Sequence, residues 1–180
     1  MMIAESLDGE PVPRELLILR HAKSAWNVDA ATDYDRPLSK RGKQAAPRVG
    51  AWLRQQGLLP DLVVSSPAKR AKKTTLKVCQ ELGIAKREVW WEPRIYEATT
   101  RTLLEVLAEF PEGAKTVLLV GHNPGLEDLI SYLCGPELAV PADGKLLPTA
   151  TLARLHVPAD WRTLQPGCGT LVSLTRPRAE

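Results

Sequence analysis

Apolar positions in this chain fall into two alternating kinds of segment. Leu16, Leu17, Ile18 and Leu19 form a short unbroken run within 15–19, Leu62, Val63 and Val64 a second within 61–65, and residues 116–120 a third. Short continuous runs of this kind predict strands buried on both faces. Between them the spacing turns helical. Ala45, Val49, Trp52, Leu53 and Gln56 share one stripe after a polar, turn-forming stretch that reaches Gly42, and Gly57 closes it. Ser66 and Pro67 predict a helix start, Ser66 as N-cap and Pro67 at the first position, with the helix running to about Leu82 before Gly83. Leu103, Leu104, Val106 and Leu107 predict a helix over 100–110, broken by Pro111-Glu112-Gly113. Leu126, Leu129, Ile130 and Leu133 line a further one. Residues 89–96 are rich in aromatic and branched side chains and predict a strand despite Pro93. Three prolines and two glycines make 135–148 a surface loop. Residues 149–157 and 170–175 predict a hairpin-like pair of strands at a sheet edge.

Strands alternating with amphipathic helices predict an α/β three-layer sandwich, a mainly parallel sheet with helices on both faces. A length of 180 residues suits one domain, taken as 15–180, behind a flexible N-terminal tail at 1–14 that carries Pro11 and Pro13.

Charge and cysteine content narrow the function classes. A net charge of +3 is compatible with an acidic ligand but lacks the concentrated basic excess of a nucleic-acid binder. Cys79, Cys134 and Cys168 are odd in number and widely spaced, so neither a disulfide framework nor a zinc site is expected. The N-terminus lacks a basic start and an apolar stretch, and no apolar run reaches the roughly 20 residues of a membrane span. A cytoplasmic protein without membrane association is expected. Oligomeric state is left open.

Polar, chemically capable residues gather where strands are expected to end, which is where ligands bind in such sheets. Arg20 and His21 follow the first strand, Ser65 to Arg70 follow the second, and Gly121 and His122 follow the third. Arginine presents a charged planar fork that matches phosphate oxygens. A neutral imidazole is a competent nucleophile, and nearby arginines disfavour its protonation. His21 could therefore attack phosphorus, while His122 donates to the equatorial oxygens. Two other readings stay open at this point: histidines satisfied within the core, and a metal site. A pair of histidines beside Arg and Gly favours the phosphate site over the first. Flanking arginines, with no further ligand at metal spacing, oppose the second. No metal or cofactor is expected.

Rival chemistries lack their residues. A cysteine phosphatase needs Arg six positions after Cys, where this chain has Ala85, Val140 and Leu174. Serine-hydrolase, Walker A and dinucleotide motifs are missing. Asp33-Tyr34-Asp35 follows no strand and reads as loop, and His156 has no partner motif and reads as structural. Lys69, Lys72, Lys73 and Lys77 share a helix face that could dock an acidic phosphoprotein, though a solvated face is the plainer reading. Trp26 is a candidate pocket wall.

Arg20-His21-Ala22-Lys23-Ser24-Ala25-Trp26-Asn27 resembles the R-H-G-E-S-x-W-N signature of the histidine phosphatase superfamily, which includes the phosphoglycerate mutases. Arg36-Pro37-Leu38-Ser39-Lys40-Arg41-Gly42, then Ser65-Ser66-Pro67-Ala68-Lys69-Arg70-Ala71-Lys72-Lys73-Thr74, then Gly121-His122-Asn123-Pro124 resemble later motifs of the family, the last in its compact SixA-type branch of phosphohistidine phosphatases. The resemblance covers roughly 15–135. It implies a phosphoglycerate mutase-like fold, with His21 as nucleophile and Arg20, Arg70 and His122 completing the phosphate pocket. It also implies a phosphoryl contact for Asn27, with Ser24 a weaker carry-over. The signature's Gly-Glu is replaced by Ala22-Lys23, which adds positive charge. Larger members use a later Glu as general acid; Glu97 is the nearest candidate, with a surface Glu at a helix start as the alternative. The implied activity is a metal-independent phosphatase acting on a phosphohistidine protein or a small phosphomonoester through a phosphohistidine on His21. Phosphoglycerate mutase-type transfer and a non-catalytic phosphoprotein-binding module are the alternatives.

Overall fold

The computed structural model describes residues 12–26 and 28–178. Most of the expected tail and Asn27 lie outside these residues.

Six strands form one sheet: β1 (Arg14–Arg20), β2 (Leu62–Ser65), β3 (Trp90–Trp91), β4 (Thr116–Gly121), β5 (Leu152–Val157) and β6 (Thr170–Thr175), in the order β3-β2-β4-β1-β5-β6. β1 and β2 each pair parallel with β4, and β3 pairs parallel with β2. β5 pairs antiparallel with both β1 and β6, so β5 alone runs against the rest. Alternation along the strands sorts the core into two layers. Leu17, Leu19, Val63, Leu118 and Val120 pack under α1 (Lys40–Gln55) and α2 (Lys69–Leu82). Leu16, Ile18, Val64, Val117 and Leu119 pack under α3 (Thr100–Ala108) and α4 (Gly125–Cys134). The expected three-layer phosphoglycerate mutase-like α/β fold is the fold observed. No helix among the described residues is long and apolar enough to cross a membrane.

Local departures from expectation have identifiable causes. The strand expected over 89–96 shrinks to two residues, because Pro93 has no N–H for the ladder and the Glu92 side chain accepts from the Arg94 N–H, turning the chain into a 3-10 turn at Pro93–Ile95. β1 begins at Arg14, inside the expected tail, where Arg14 Nε donates to the Ala159 carbonyl at 2.6 Å. α1 starts earlier than expected, at Lys40, because Ser39 caps it by accepting from the Gly42 N–H. Ser66 does not cap α2: Ala68 holds the N-cap position, and the Ser66 hydroxyl is engaged elsewhere.

Candidate active site

The carboxyl ends of β1, β2 and β4 are adjacent in the sheet, so the residues that follow them meet. His21, Arg70 and His122 are all buried there, at 6%, 5% and 8% exposure, and the two histidine rings lie 5.2 Å apart. Arg20 is half-buried beside them. Arg70 arrives from the first turn of α2, its Nε 3.4 Å from His21 Nε2.

The hydrogen bonds assign each imidazole a state. His21 Nδ1 lies 2.7 Å from the Ala22 carbonyl, an acceptor only, so Nδ1 carries the proton and the Nε2 lone pair accepts a long hydrogen bond from Arg70 Nε. Burial pushes the His21 pKa down to about 4, assisted by the charges of Arg70, Arg20 and Arg36, although the Ala22 carbonyl works in the opposite direction. His122 is pushed down to about 3, again chiefly by burial. Its Nε2 lies 2.8 Å from the Ser66 hydroxyl, which also accepts from the Ala68 N–H. The Ser66 hydroxyl has one proton to donate, and assigning it to Nε2 places the proton of neutral His122 on Nδ1, the ring nitrogen without a protein partner.

Among the described residues, the buried side-chain polar atoms without a hydrogen-bond partner are Arg20 Nε, His122 Nδ1 and Asn123 Oδ1. All three belong to this cluster. Buried polar groups are ordinarily satisfied, so two unpaired donors beside a neutral imidazole mark a place built for an acceptor-rich ligand. The Leu147 carbonyl helps aim them: it accepts from Arg20 Nη1 at 3.3 Å and from Asn123 Nδ2 at 2.8 Å. The end of the 135–148 loop thus contributes to the site, a role that no local pattern announces.

Two adjoining clefts share Arg70, His122 and Asn123. One, of about 390 Å³, is lined by Arg20, His21, Arg36 and Trp26; the Arg36 guanidinium stacks 3.6 Å from the exposed Trp26 ring and donates to Ser24. The other, of about 330 Å³, is lined by Asp33, Tyr96 and Glu97. Glu97 is exposed at this rim with φ of 54°, so its backbone is turned out of the strand-like path expected through 96.

Asp33 is the functional neighbour that sequence reading passes over as loop. Its Oδ2 accepts from Tyr96 Oη at 2.7 Å and from Arg70 Nη2 at 3.0 Å, its carbonyl accepts from Arg70 Nη1 at 2.7 Å, and Oδ1 accepts from Arg36 Nη2 at 3.1 Å. The Tyr96 hydroxyl is the largest influence and, together with Arg70 and Arg36, holds its pKa at about 2 against desolvation by burial. His156 sits apart, with Nε2 2.8 Å from Glu15 Oε1, in a cluster with Arg154 on the sheet surface. Lys72 lies over the Trp91 ring at 5.4 Å, while Lys69 and Lys73 are exposed.

Known proteins resemble this chain in sequence and fold. The model of the histidine phosphatase superfamily (branch 1) matches residues 16–112. An uncharacterised protein of Mycobacterium tuberculosis is 35% identical over 164 residues, 89% of this chain and all of its own length. A protein provisionally assigned as phosphohistidine phosphatase SixA, from Nakamurella multipartitia, superposes with a TM-score of 0.79 at 28% identity, over 92% of this chain and 97% of that one. The protein histidine phosphatase SixA complexed with tungstate superposes with a TM-score of 0.75 at 25% identity, over 91% and 97%.

Proposed function

The chain belongs to the histidine phosphatase superfamily and is a phosphatase, and from that premise we propose that it hydrolyses a phosphohistidine protein or a small phosphomonoester through a phosphohistidine formed on His21 Nε2. One observation carries this reading. The Nδ1–H of His21 donates to the Ala22 carbonyl, which leaves Nε2 unprotonated well above pH 4 and within reach of the Arg70 fork.

In the first step Nε2 bonds to phosphorus as the bond to the leaving oxygen or nitrogen breaks. Arg20, Arg70 and the Nδ1–H of His122 take the charge that spreads over the equatorial oxygens. Asn27 is assigned a further phosphoryl contact by its place in the signature. In the second step water attacks phosphorus as the new P–N bond breaks; one water proton passes to the carboxylate that protonated the leaving group, and the electron pair returns to Nε2, giving neutral His21 and inorganic phosphate. Arginines supply the positive charge that a metal supplies elsewhere, so the reaction is metal-independent.

Two carboxylates line the leaving-group side. Asp33, with a pKa of about 2, is a poor proton donor. Glu97 is therefore the group that protonates an alkoxide leaving group, and an imidazole leaving group demands less of it. A mutase must shield its intermediate from water. The exposed Trp26 at the cleft mouth, at 74%, favours hydrolysis. The SixA likeness supports a phosphohistidine substrate, and three free cysteines support the reducing cytoplasm.

The test is aryl phosphate hydrolysis in the presence of chelator, wild type against His21→Ala, with rapid quenching in alkaline denaturant to trap the intermediate. We expect turnover by wild type, an acid-labile phosphoenzyme, and a loss of activity of at least about 10³-fold in the variant. Full turnover by His21→Ala would overturn the mechanism.

A further inference from the structure

β6 runs in the same direction as β1, so its carboxyl end returns the chain to the edge of the sheet that holds His21. The residues delivered there are Arg176, Pro177 and Arg178. Arg176 is exposed, donates to Thr149 Oγ1 at 3.4 Å, and lines the same cleft as His21 and Arg20. It also lines a further cleft of about 310 Å³, whose other wall is α1, through Arg41, Gln44 and Arg48. Ala150 joins the two. It lines the further cleft, and its backbone N–H lies 3.2 Å from the carbonyls of both Arg20 and His21. The second cleft therefore opens directly beside the phosphate pocket.

Its charge has one sign. Arg41, Arg48, Arg176 and Arg178 line it with no Asp or Glu among the lining residues, and among the described residues none of the four makes an ion pair. The opposite side of the pocket carries Asp33 and Glu97. An extended anion entering the mouth is drawn toward α1 and β6 and repelled from the other flank.

Length selects the kind of anion. Arg41 and Arg48 are seven residues apart on α1, about 10 Å of helix rise, so the positive wall of the cleft is longer than one phosphate group. The second phosphate of a three-carbon bisphosphate can meet only one end of such a wall. Three or four residues of extended peptide, at roughly 3.3 Å each, run its length.

We propose that the cleft between α1 and the end of β6 seats an acidic peptide segment flanking the phosphorylated residue of a phosphoprotein substrate, a reading that rests on the phosphatase assignment above and narrows its substrate to protein. The probe is a pair of peptides built around a non-hydrolysable phosphonate analogue of phosphohistidine, one flanked by four glutamates and the other by four glutamines. Binding is measured on wild type and on Arg41→Glu/Arg48→Glu. On wild type at low salt the glutamate peptide binds about tenfold tighter, an advantage lost in the double variant and at high salt. Equal affinities on wild type, or an advantage that survives the double variant, overturn the proposal. So does a short alkyl bisphosphate whose competition depends on Arg41 and Arg48 as strongly as the peptide's binding, since the cleft then serves metabolites. Aryl phosphate turnover is unchanged in the double variant, which shows that its fold and pocket are intact. Absence of that turnover in wild type counts against the phosphatase mechanism alone, because the binding comparison does not depend on catalysis.

Discussion

Replacing Asp33 by asparagine removes one negative charge from the rim of the pocket while keeping the side chain's shape. The Asp33 carboxylate occupies one nitrogen of Arg70, a fork that a phosphate group must use, and two of Arg36, while its backbone carbonyl holds a second nitrogen of Arg70. A phosphate dianion on Arg70 shares that guanidinium with a carboxylate about 6 Å away, a repulsion of about 0.7 kcal/mol per unit charge in water, or about 1.4 for the dianion. The carboxylate is half-exposed, at 51%, so no stronger dielectric confinement applies. At physiological ionic strength a Debye length of about 8 Å roughly halves the figure. Asp33→Asn should therefore lower the Ki of inorganic phosphate against aryl phosphate hydrolysis by about tenfold at low salt and about threefold at 0.15 M. Because the Asp33 pKa is about 2, its carboxylate stays charged at both pH 5 and pH 8, and the free-energy effect should fall to about half at pH 5 only because inorganic phosphate is there a monoanion. An unchanged or weaker Ki refutes the reasoning, and means that the carboxylate holds Arg70 and Arg36 in place rather than competing for them.

Two further outcomes follow from the imidazole assignments. Ser66→Ala removes the donor to His122 Nε2 and frees the Nδ1 proton to move; kcat should fall about tenfold with KM little changed, and ring ¹⁵N shifts of His122 should show mixed tautomers, whereas an unchanged kcat refutes the positioning role. With folded pKa values of about 4 and 3 against about 6.5 unfolded, His21 and His122 bind protons more readily in the unfolded chain. Stability should thus be full above pH 6.5 and decline as the pH falls toward 4, and both rings should be neutral by NMR at pH 5.5. A titration midpoint near 6.5 for either ring removes the basis for the assignment.

Much of this architecture is legible in the sequence because its signals are local. Leu16 to Leu19 and 116–120 announce strands by their unbroken apolar runs, and ligand placement at strand ends then directs attention to His21, Arg70 and His122. What escapes notice depends on contacts between distant segments. Asp33 acquires its role from Arg70 and Tyr96, 37 and 63 residues away, and nothing in its own turn foretells them. Ser66 has the composition of an N-cap, but His122 reaches it across 56 residues and claims its hydroxyl. The shortened β3 was signalled by Pro93, whose missing donor outweighs the aromatic and branched residues around it.

The sheet order has a consequence for folding. Arg20 is 127 residues from the Leu147 carbonyl that steadies it and His21 is 49 from Arg70, so no short contiguous fragment contains the pocket. Such high contact order makes the site a late product of folding, completed only when β1, β2 and β4 are aligned. An anion that occupies it recognises the finished molecule and nothing earlier. By mass action, phosphate at a hundred times its Kd would hold the native state by about 2.7 kcal/mol more. The ambient phosphate level would then govern how much of the protein survives proteolysis as well as how fast it turns over.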